Sequence, residues 1–341
     1  MKPMKYKRIV VTKRGPPEKL QITECDLRDP LAKEVRVKVL ATCVCLPDVQ
    51  ARYGLSAFAP KLPFVPGYTI VGVVDAVGPG VTQAVPGTKV AAYLIIGGYA
   101  EYIYLRENQL IPVPPSVNPA EAVPLLLNYV TAYQALHRSA KVKAGDKVLF
   151  IGASGGCGTA FLDLGRLANL KMYGIASKSK HPIVAEYGAT PIDYRTEDFV
   201  EVIRRAEPGG LDAIFDGMGG DYIGRSFLLL RRGGVLVEYG NPLSVRGTLR
   251  TLAKMLVLHL LPNGRRVKPY GAGSVLFNRK PFLEDWAILF RLLEEGKIRP
   301  VISGEFPLLE AARANALLES GQVVVNLVLL APELLETRQM A

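Results

Sequence analysis

"VLFIGASGGCGTA", Val148 to Ala160, is the stretch from which the fold can be read. An apolar run ends at Ile151. Gly152, Ala153, Gly155, Gly156 and Gly158 then crowd a turn, and a helical pattern runs from about Gly156 to Asn169. Relative to G-x-G-x-x-G, Ala153, Gly155 and Gly158 hold the three small positions. Gly155 allows a pyrophosphate close to the backbone, and Gly158 allows the helix to pack tightly on the strand. The helix start adds unpaired N–H groups and the positive end of a dipole. Such a turn also suits packing alone. The strand before it, the helix after it and a second strand, "KMYGIAS", downstream make it a dinucleotide site.

The second strand bears on the cofactor. An NAD site places an acidic residue about 20 residues on, where it grips the ribose 2′-hydroxyl. Here "YGIASKSKHP" offers Ser177, Lys178 and Lys180 and no carboxylate. A hydroxyl and two ammonium groups suit a 2′-phosphate, which predicts NADPH over NADH.

Working outward, strands and helices alternate from "KVLFIGA" to "GVLVEYG", with near-continuous apolar strands, as in a parallel sheet covered on both faces. Upstream, "KRIVVTKRG", "LQITECDL", "EVRVKVLATCV" and "YTIVGVVDAVGPGV" are short β-branched runs cut by Gly, Pro and charge, with no long helical pattern among them. They predict a β-rich, partly open barrel. Downstream come a basic apolar stretch from about Thr248 to Leu261, two amphipathic helices in "PFLEDWAILFRLLEEGKIRP" and "EAARANALLESG", and a last strand, "QVVVNLVLL".

The chain has 341 residues, 49% of them hydrophobic, enough for more than one core. Its net charge of +11 is read as scattered, apart from local groups such as Arg265, Arg266 and Lys268, so a macromolecular partner is not expected. Four cysteines without a CxxC spacing argue against a disulfide framework and for a reducing compartment. No apolar run approaches the ~18 residues of a spanning helix. A cytoplasmic protein is expected.

In this order, the β-rich segment, "LLNYVTAYQAL", "GASGGCG", "ASKSKH", "PIDYRTEDF" and "VEYG" resemble the medium-chain dehydrogenase/reductase superfamily, in its zinc-independent quinone oxidoreductase branch. They look closest to the vesicle amine transport protein homologue subgroup. The resemblance covers nearly the whole chain. It implies a GroES-like domain over residues 1–125 and 267–341, a Rossmann-type NADPH-binding domain over 126–266, an active site in the cleft between them, and a homodimer. Thr131 matches a threonine near the nicotinamide. Ser154, Gly155, Gly156, Cys157 and Gly158 match the pyrophosphate turn. Ser177 and Lys180 match the 2′-phosphate residues, and Tyr194 the adenine end. Gly217, Tyr239 and Gly240 match cofactor-lining strand ends, and Asn326 a position on the C-terminal strand.

Zinc-dependent relatives hold a metal with Cys, a His in Gly-His-Glu, and a later Cys. Here Cys45, Tyr68 and Asn128 stand at those positions. None of His137, His181 and His259 has metal-ligand spacing with a cysteine, and His137 is read as a solvated or capping residue. No zinc is expected. Cys45 itself, where quinone reductases usually carry Asn, and Gln50, where they often carry Tyr, are departures from the branch. Cys45 is read as a cleft residue rather than a nucleophile, and Asp48 as a turn-fixing acceptor. The expected reaction is hydride transfer from NADPH to a quinone or an α,β-unsaturated carbonyl. Tyr68 and Asn128 are the expected donors to the developing oxyanion, and Tyr53 a weaker substrate contact. The alternatives are an enoyl thioester or alkenal reductase, and a non-catalytic membrane- or RNA-binding member of the fold, for which the basic segment 248–268 would serve as the docking face; in the enzyme the same segment is read as a lid or dimer helix covering the substrate cleft.

Overall fold

The computed structural model describes residues 4–55, 59–240, 244–322 and 325–339. They form two compact units, residues 1–127, 286–296 and 300–341, and residues 128–285 and 297–299.

In the first unit, β1 (Lys5–Val11) and β2 (Leu20–Asp26) make an antiparallel pair. The long β3 (Glu34–Val44) is the spine of a seven-stranded sheet. β4 (Thr69–Val77), β5 (Lys89–Tyr93) and β7 (Ile111–Pro112) follow on one side of it, β15 (Asn326–Leu330) and β14 (Ile302–Pro307) on the other, and β6 (Tyr102–Arg106) also pairs with β3. Val35, Val37 and Val39 alternate along β3 into a core shared with Ile70, Val74 and Val90, as the period-two side-chain pattern requires. Because β15 closes on β3, the chain's end completes the sheet begun by its start. Val323 and Val324 of the expected last strand lie outside the described residues.

The second unit holds a six-stranded sheet in the order β10 (Thr190–Asp193), β9 (Lys171–Ala176), β8 (Lys147–Ile151), β11 (Leu211–Asp216), β12 (Leu230–Glu238), β13 (Arg266–Pro269). Every neighbouring pair is parallel. The order reverses between β8 and β11, and ligands of such sheets bind outside the strand carboxyl ends at that point. The sheet's apolar strands pack against helices such as Gly156–Leu167, through Phe150, Phe161 and Phe215.

One expectation needs correction. The second crossing between units, expected at 266/267, falls at 285/286, because Arg266–Pro269 adds to the parallel sheet beside β12. With two cations and a proline in four residues, "RVKP" carries no strand signal of its own. The β-rich segment is also interrupted by an eight-residue helix, Leu46–Tyr53, too short for its periodicity to register.

Candidate functional site

In the second unit the glycine turn is built as its sequence dictates. Gly152 has φ +81, which favours glycine. Gly155 is the N-cap of the helix Gly156–Leu167, whose first bond at this end runs from Thr159 N to Gly155 O at 2.9 Å. The amides of Gly156, Cys157 and Gly158 precede that bond, the arrangement that binds anions. A Cβ on Gly158 would lie 2.5 Å from the carbonyl carbon of Ala153 and nearer still to Gly152 O. A Cβ on Gly155 would meet nothing closer than Gly152 O at 3.6 Å. Gly158 is therefore a packing glycine, whereas Gly155 leaves a clear approach to the helix start.

Around this helix start the unit gathers several expected residues. Cys157 Sγ donates to Asn128 Oδ1 at 3.3 Å. Thr131 is buried and hydrogen-bonded with the Tyr270 hydroxyl, which also donates to Gln134 Oε1 at 3.1 Å. A side chain at Gly217 would meet the Tyr239 hydroxyl at 2.7 Å, and one at Gly240 would meet Glu238 Oε1 at 2.8 Å. Burial, then the charges of Cys157, Asp216 and Glu238, push the Tyr239 phenol well up.

Tyr270 was missed by the sequence reading. It follows β13, and only recognition of that strand would have pointed to it. Also missed was a pair of buried acids. Asp216 and Glu238 end β11 and β12 in register. Asp216 Oδ1 accepts from Met218 N and Gly219 N at 2.8 and 2.9 Å, while Oδ2 is buried without a partner. Burial, then the charge of Asp216, push the Glu238 carboxyl up to about 8.

At the end of β9, Ser177 is the N-cap of the turn Lys178–Lys180, and its Oγ lies 3.4 Å from Ser179 Oγ. Burial lowers the Lys180 ammonium, Tyr194 opposes this and Arg195 adds to it. Lys180, Tyr194 and Arg195 are therefore neighbours, and Arg195 is a further cation that the sequence reading passed over. Its guanidinium lies 5.6 Å from the Tyr194 ring centre.

In the first unit, Cys45 is the N-cap of the helix Leu46–Tyr53. Asp48, three residues on, accepts from Cys45 N at Oδ2 (3.1 Å) and from Gly67 N at Oδ1 (2.8 Å). It fixes the turn, as expected, and also holds the strand-free segment before Tyr68. Burial pushes Asp48 up to about 7 despite these bonds. Burial, then Asp48 and Cys45, push the Tyr68 phenol up to about 12. Its ring meets Tyr93 edge-on at 6.3 Å. The structure thus groups Cys45, Asp48 and Tyr68. Tyr53 is bound elsewhere in this unit, donating to Glu319 Oε2 at 2.9 Å with Arg52 over its ring. Asn326 Nδ2 donates to Val301 O at 2.9 Å. His137, in the second unit, is half-buried against Tyr133, 4.6 Å between ring centres, rather than solvated or capping.

A family model described as "Alcohol dehydrogenase GroES-like domain" matches residues 31–115, and one described as "Zinc-binding dehydrogenase" matches residues 187–329. The chain is 33% identical over 293 residues to the synaptic vesicle membrane protein VAT-1 homolog of Rattus norvegicus, covering 82% of this chain and 72% of that protein. It is 30% identical over 310 residues to the quinone oxidoreductase of Homo sapiens, covering 88% of this chain and 90% of that protein. Among solved structures, Escherichia coli quinone oxidoreductase complexed with NADPH is similar with a TM-score of 0.86 and 26% identity, covering 95% of this chain and 99% of that one. The chain belongs to the medium-chain dehydrogenase/reductase superfamily, among its quinone oxidoreductase-type members. Its first unit is the GroES-like domain of that superfamily and its second the Rossmann domain. The protein is an oxidoreductase of this family.

Medium-chain dehydrogenase/reductase proteins imply a nicotinamide cofactor, and some imply zinc. The residues fit the first, because the helix start behind Gly155 is a clear anion cradle. They do not fit the second. Tyr68 holds its proton far above neutrality, and Asn128 is a neutral amide accepting from Cys157. One thiol with a phenol and an amide is a poor zinc donor set. Among the described residues no group of three or more His, Cys, Asp or Glu side chains could hold a metal ion. Nor, among them, is any helix long and apolar enough to cross a membrane.

Proposed function

We propose that this chain is an NADPH-dependent oxidoreductase that delivers hydride to a quinone or an α,β-unsaturated carbonyl compound without a metal. The observation that carries the reading is the turn after β9, where Ser177, Lys178 and Lys180 stand in place of a carboxylate, with Arg195 close to Lys180. In this reading Ser154, Gly155, Gly156, Cys157 and Gly158 bind the pyrophosphate, and Ser177, Lys178 and Lys180 bind the 2′-phosphate. Tyr194 takes the adenine end, while Thr131, Gly217, Tyr239 and Gly240 line the remainder. When bound, NADPH supplies the hydride.

Tyr68 stays protonated through the physiological range, so it can donate a hydrogen bond to an oxygen on which charge develops. Asn128 is the second donor assigned to this role, held by Cys157. Cys45 is a positioning residue at the helix start rather than a nucleophile. A homodimer belongs to the same reading, and sedimentation velocity tests it separately.

The test is NADPH oxidation by metal-free protein over a panel of quinones, enals and enoyl thioesters. Turnover on quinones or enones, insensitive to chelator and much weaker with NADH, is expected. Activity restored only by added zinc, or equal use of NADH and NADPH, would overturn the reading. Selective turnover of enoyl thioesters would replace quinones as the substrate class.

A further inference from the structure

A buried chain of hydrogen bonds in the second unit runs in one direction only. The Asp285 carboxylate accepts from Arg138 Nε at 2.8 Å, from Arg138 Nη2 at 2.7 Å and from Gln134 Nε2 at 2.6 Å. A carboxylate so placed only accepts and a guanidinium only donates. The Gln134 amide is therefore turned with its nitrogen toward Asp285 and its carbonyl oxygen the other way. That oxygen, Oε1, accepts from the Tyr270 hydroxyl at 3.1 Å. Burial pushes the Tyr270 phenol above its ordinary value, so it keeps the proton that it donates. The phenol oxygen can then only accept, and Thr131 is the partner that donates to it. The single hydroxyl proton of Thr131 is thus spent on Tyr270. On its remaining side the Thr131 oxygen offers lone pairs alone.

The order of the sheet places this oxygen. The lysine turn follows β9 and the glycine turn follows β8, while Gly217, Tyr239 and Tyr270 follow β11, β12 and β13. In the proposed reading the adenosine half of the cofactor lies over β9 and the pyrophosphate over β8. The nicotinamide half then runs the opposite way, along the ends of β11, β12 and β13. Tyr270 is fixed on that side, its N donating to Glu238 O at 2.8 Å, and Thr131 is tied there through the Tyr270 hydroxyl. Thr131 also stays close to the glycine turn. Asn128, one helical turn before it on the helix Asn128–Tyr133, accepts from Cys157 Sγ at 3.3 Å. Thr131 is 5% exposed, and an acceptor in so dry a place is costly to leave unmet.

We propose that Thr131 is the acceptor for the carboxamide amine of the nicotinamide, and that Tyr270, Gln134 and Asp285 are positioning residues that hold its hydroxyl in this sense. This rests on the cofactor reading above. The carboxamide nitrogen is the hydrogen-bond donor of the nicotinamide ring, so an acceptor without a proton of its own matches it. A ribose hydroxyl both donates and accepts, and a site for it would gain nothing from a hydroxyl held one way. Holding the carboxamide also fixes the plane of the ring, and with it the direction in which hydride leaves.

The experiment is calorimetric titration of the full chain with three ligands. They are NADP⁺, its 3-acetylpyridine analogue, in which a methyl replaces the carboxamide amine, and 2′-phospho-ADP-ribose, which lacks the ring. The wild type should bind the analogue about 10–100-fold more weakly than NADP⁺. Thr131→Ser should keep that ratio. In Tyr270→Phe the Thr131 proton is released and can turn toward the carbonyl that both ligands carry, so the ratio should fall to within about threefold. Thr131→Val should bring it down as well, by weakening NADP⁺ alone. All three variants should bind 2′-phospho-ADP-ribose as the wild type does. A purely structural role for Tyr270 would weaken NADP⁺ and the analogue by the same factor. The proposal is overturned if the wild type binds NADP⁺ and the analogue equally while 2′-phospho-ADP-ribose still binds, or if Tyr270→Phe leaves the ratio unchanged. Failure of the wild type to bind 2′-phospho-ADP-ribose and NADP⁺ overturns the cofactor reading, and this proposal with it.

Discussion

Alanine at Gly155 and at Gly158 separates a phosphate cradle from a packing turn. At Gly158→Ala the helix gains about 1 kcal/mol of propensity. The new methyl, however, sits 2.5 Å from Ala153 carbonyl carbon and closer to Gly152 O, and both are backbone atoms that cannot swing aside. Overpacking of this kind costs about 1–3 kcal/mol or more. Against fixed backbone atoms the upper end of that range applies, and the net loss of about 2 kcal/mol corresponds to a melting temperature roughly 4–8 °C lower. Gly155 is different. Its φ of −82 and ψ of 175 suit any residue, and its methyl would have no neighbour nearer than 3.6 Å. Alanine at an N-cap costs about 0.5–1 kcal/mol relative to glycine, and the stiffer unfolded chain returns a similar amount. The melting temperature should therefore hold within about 2 °C. Cofactor affinity should respond in the opposite order. In the proposed reading the Gly155 methyl takes the space of the pyrophosphate and keeps it from the amides of Gly156 and Cys157. Loss of one charge-assisted hydrogen bond costs about 1.5–3 kcal/mol, or roughly 10–150-fold in Kd. The assays are a thermal melt and a titration of NADPH fluorescence on the same preparations. If Gly155→Ala binds NADPH like the wild type, the turn serves packing alone and its reading as a cradle fails.

Four further outcomes are expected. Lys180→Ala should raise the Kd for NADPH about 10–100-fold and leave NADH unchanged, as calorimetric titration would show. Cys45→Ser should alter kcat less than about threefold and hold or raise the melting temperature, because serine is the better N-cap; a loss of orders of magnitude with NADPH binding intact would make Cys45 catalytic. Glu238 has a folded-state pKa raised to about 8, so its stabilising contribution is complete below its unfolded value and is lost as pH rises to 8. Stability should therefore fall by up to about 1.4 kcal/mol per pH unit across that window, and melts of Glu238→Gln against pH should be flatter. Arg52, fully buried and bound to Gly15 O and to the exposed Glu319, should cost about 1.5–3 kcal/mol when replaced by methionine, measured by urea denaturation, because the carboxylate left behind can be hydrated.

What was legible in the sequence was local. The glycine turn, the β9 lysines and the alternation of β3 each follow from a few neighbouring residues, so their chemistry could be read before any fold was known. What was hidden depends on partners far along the chain. "RVKP" is a strand only because β12 lies beside it, and Tyr270 gains its contact with Thr131 only through that strand. Asp216 and Glu238 are 22 positions apart, and their coupling arises from the parallel register of β11 with β12. The helix Val245–Leu260 was visible as a basic apolar segment. Which of its sides faces the sheet was settled by Met255 and Leu258 entering the core.

The donor set also limits what the proposed chemistry can be. A metal stabilises an alkoxide by direct charge, which a neutral donor cannot match. Tyr68 is such a donor. Burial disfavours its phenolate, and the neighbouring Asp48 and Cys45 disfavour it further, so it can share a hydrogen bond without releasing the proton. Stabilisation of that kind suits an oxygen whose charge is already delocalised, as in an enolate or a hydroquinone anion. Asp48 is no substitute acid, because its oxygens are taken by Gly67 N, Cys45 N and the Tyr99 hydroxyl. In this reading the proton that completes the reduction therefore comes from water. The protein's part is to hold electrophile and cofactor in place and to meet the charge that forms with fixed O–H and N–H groups.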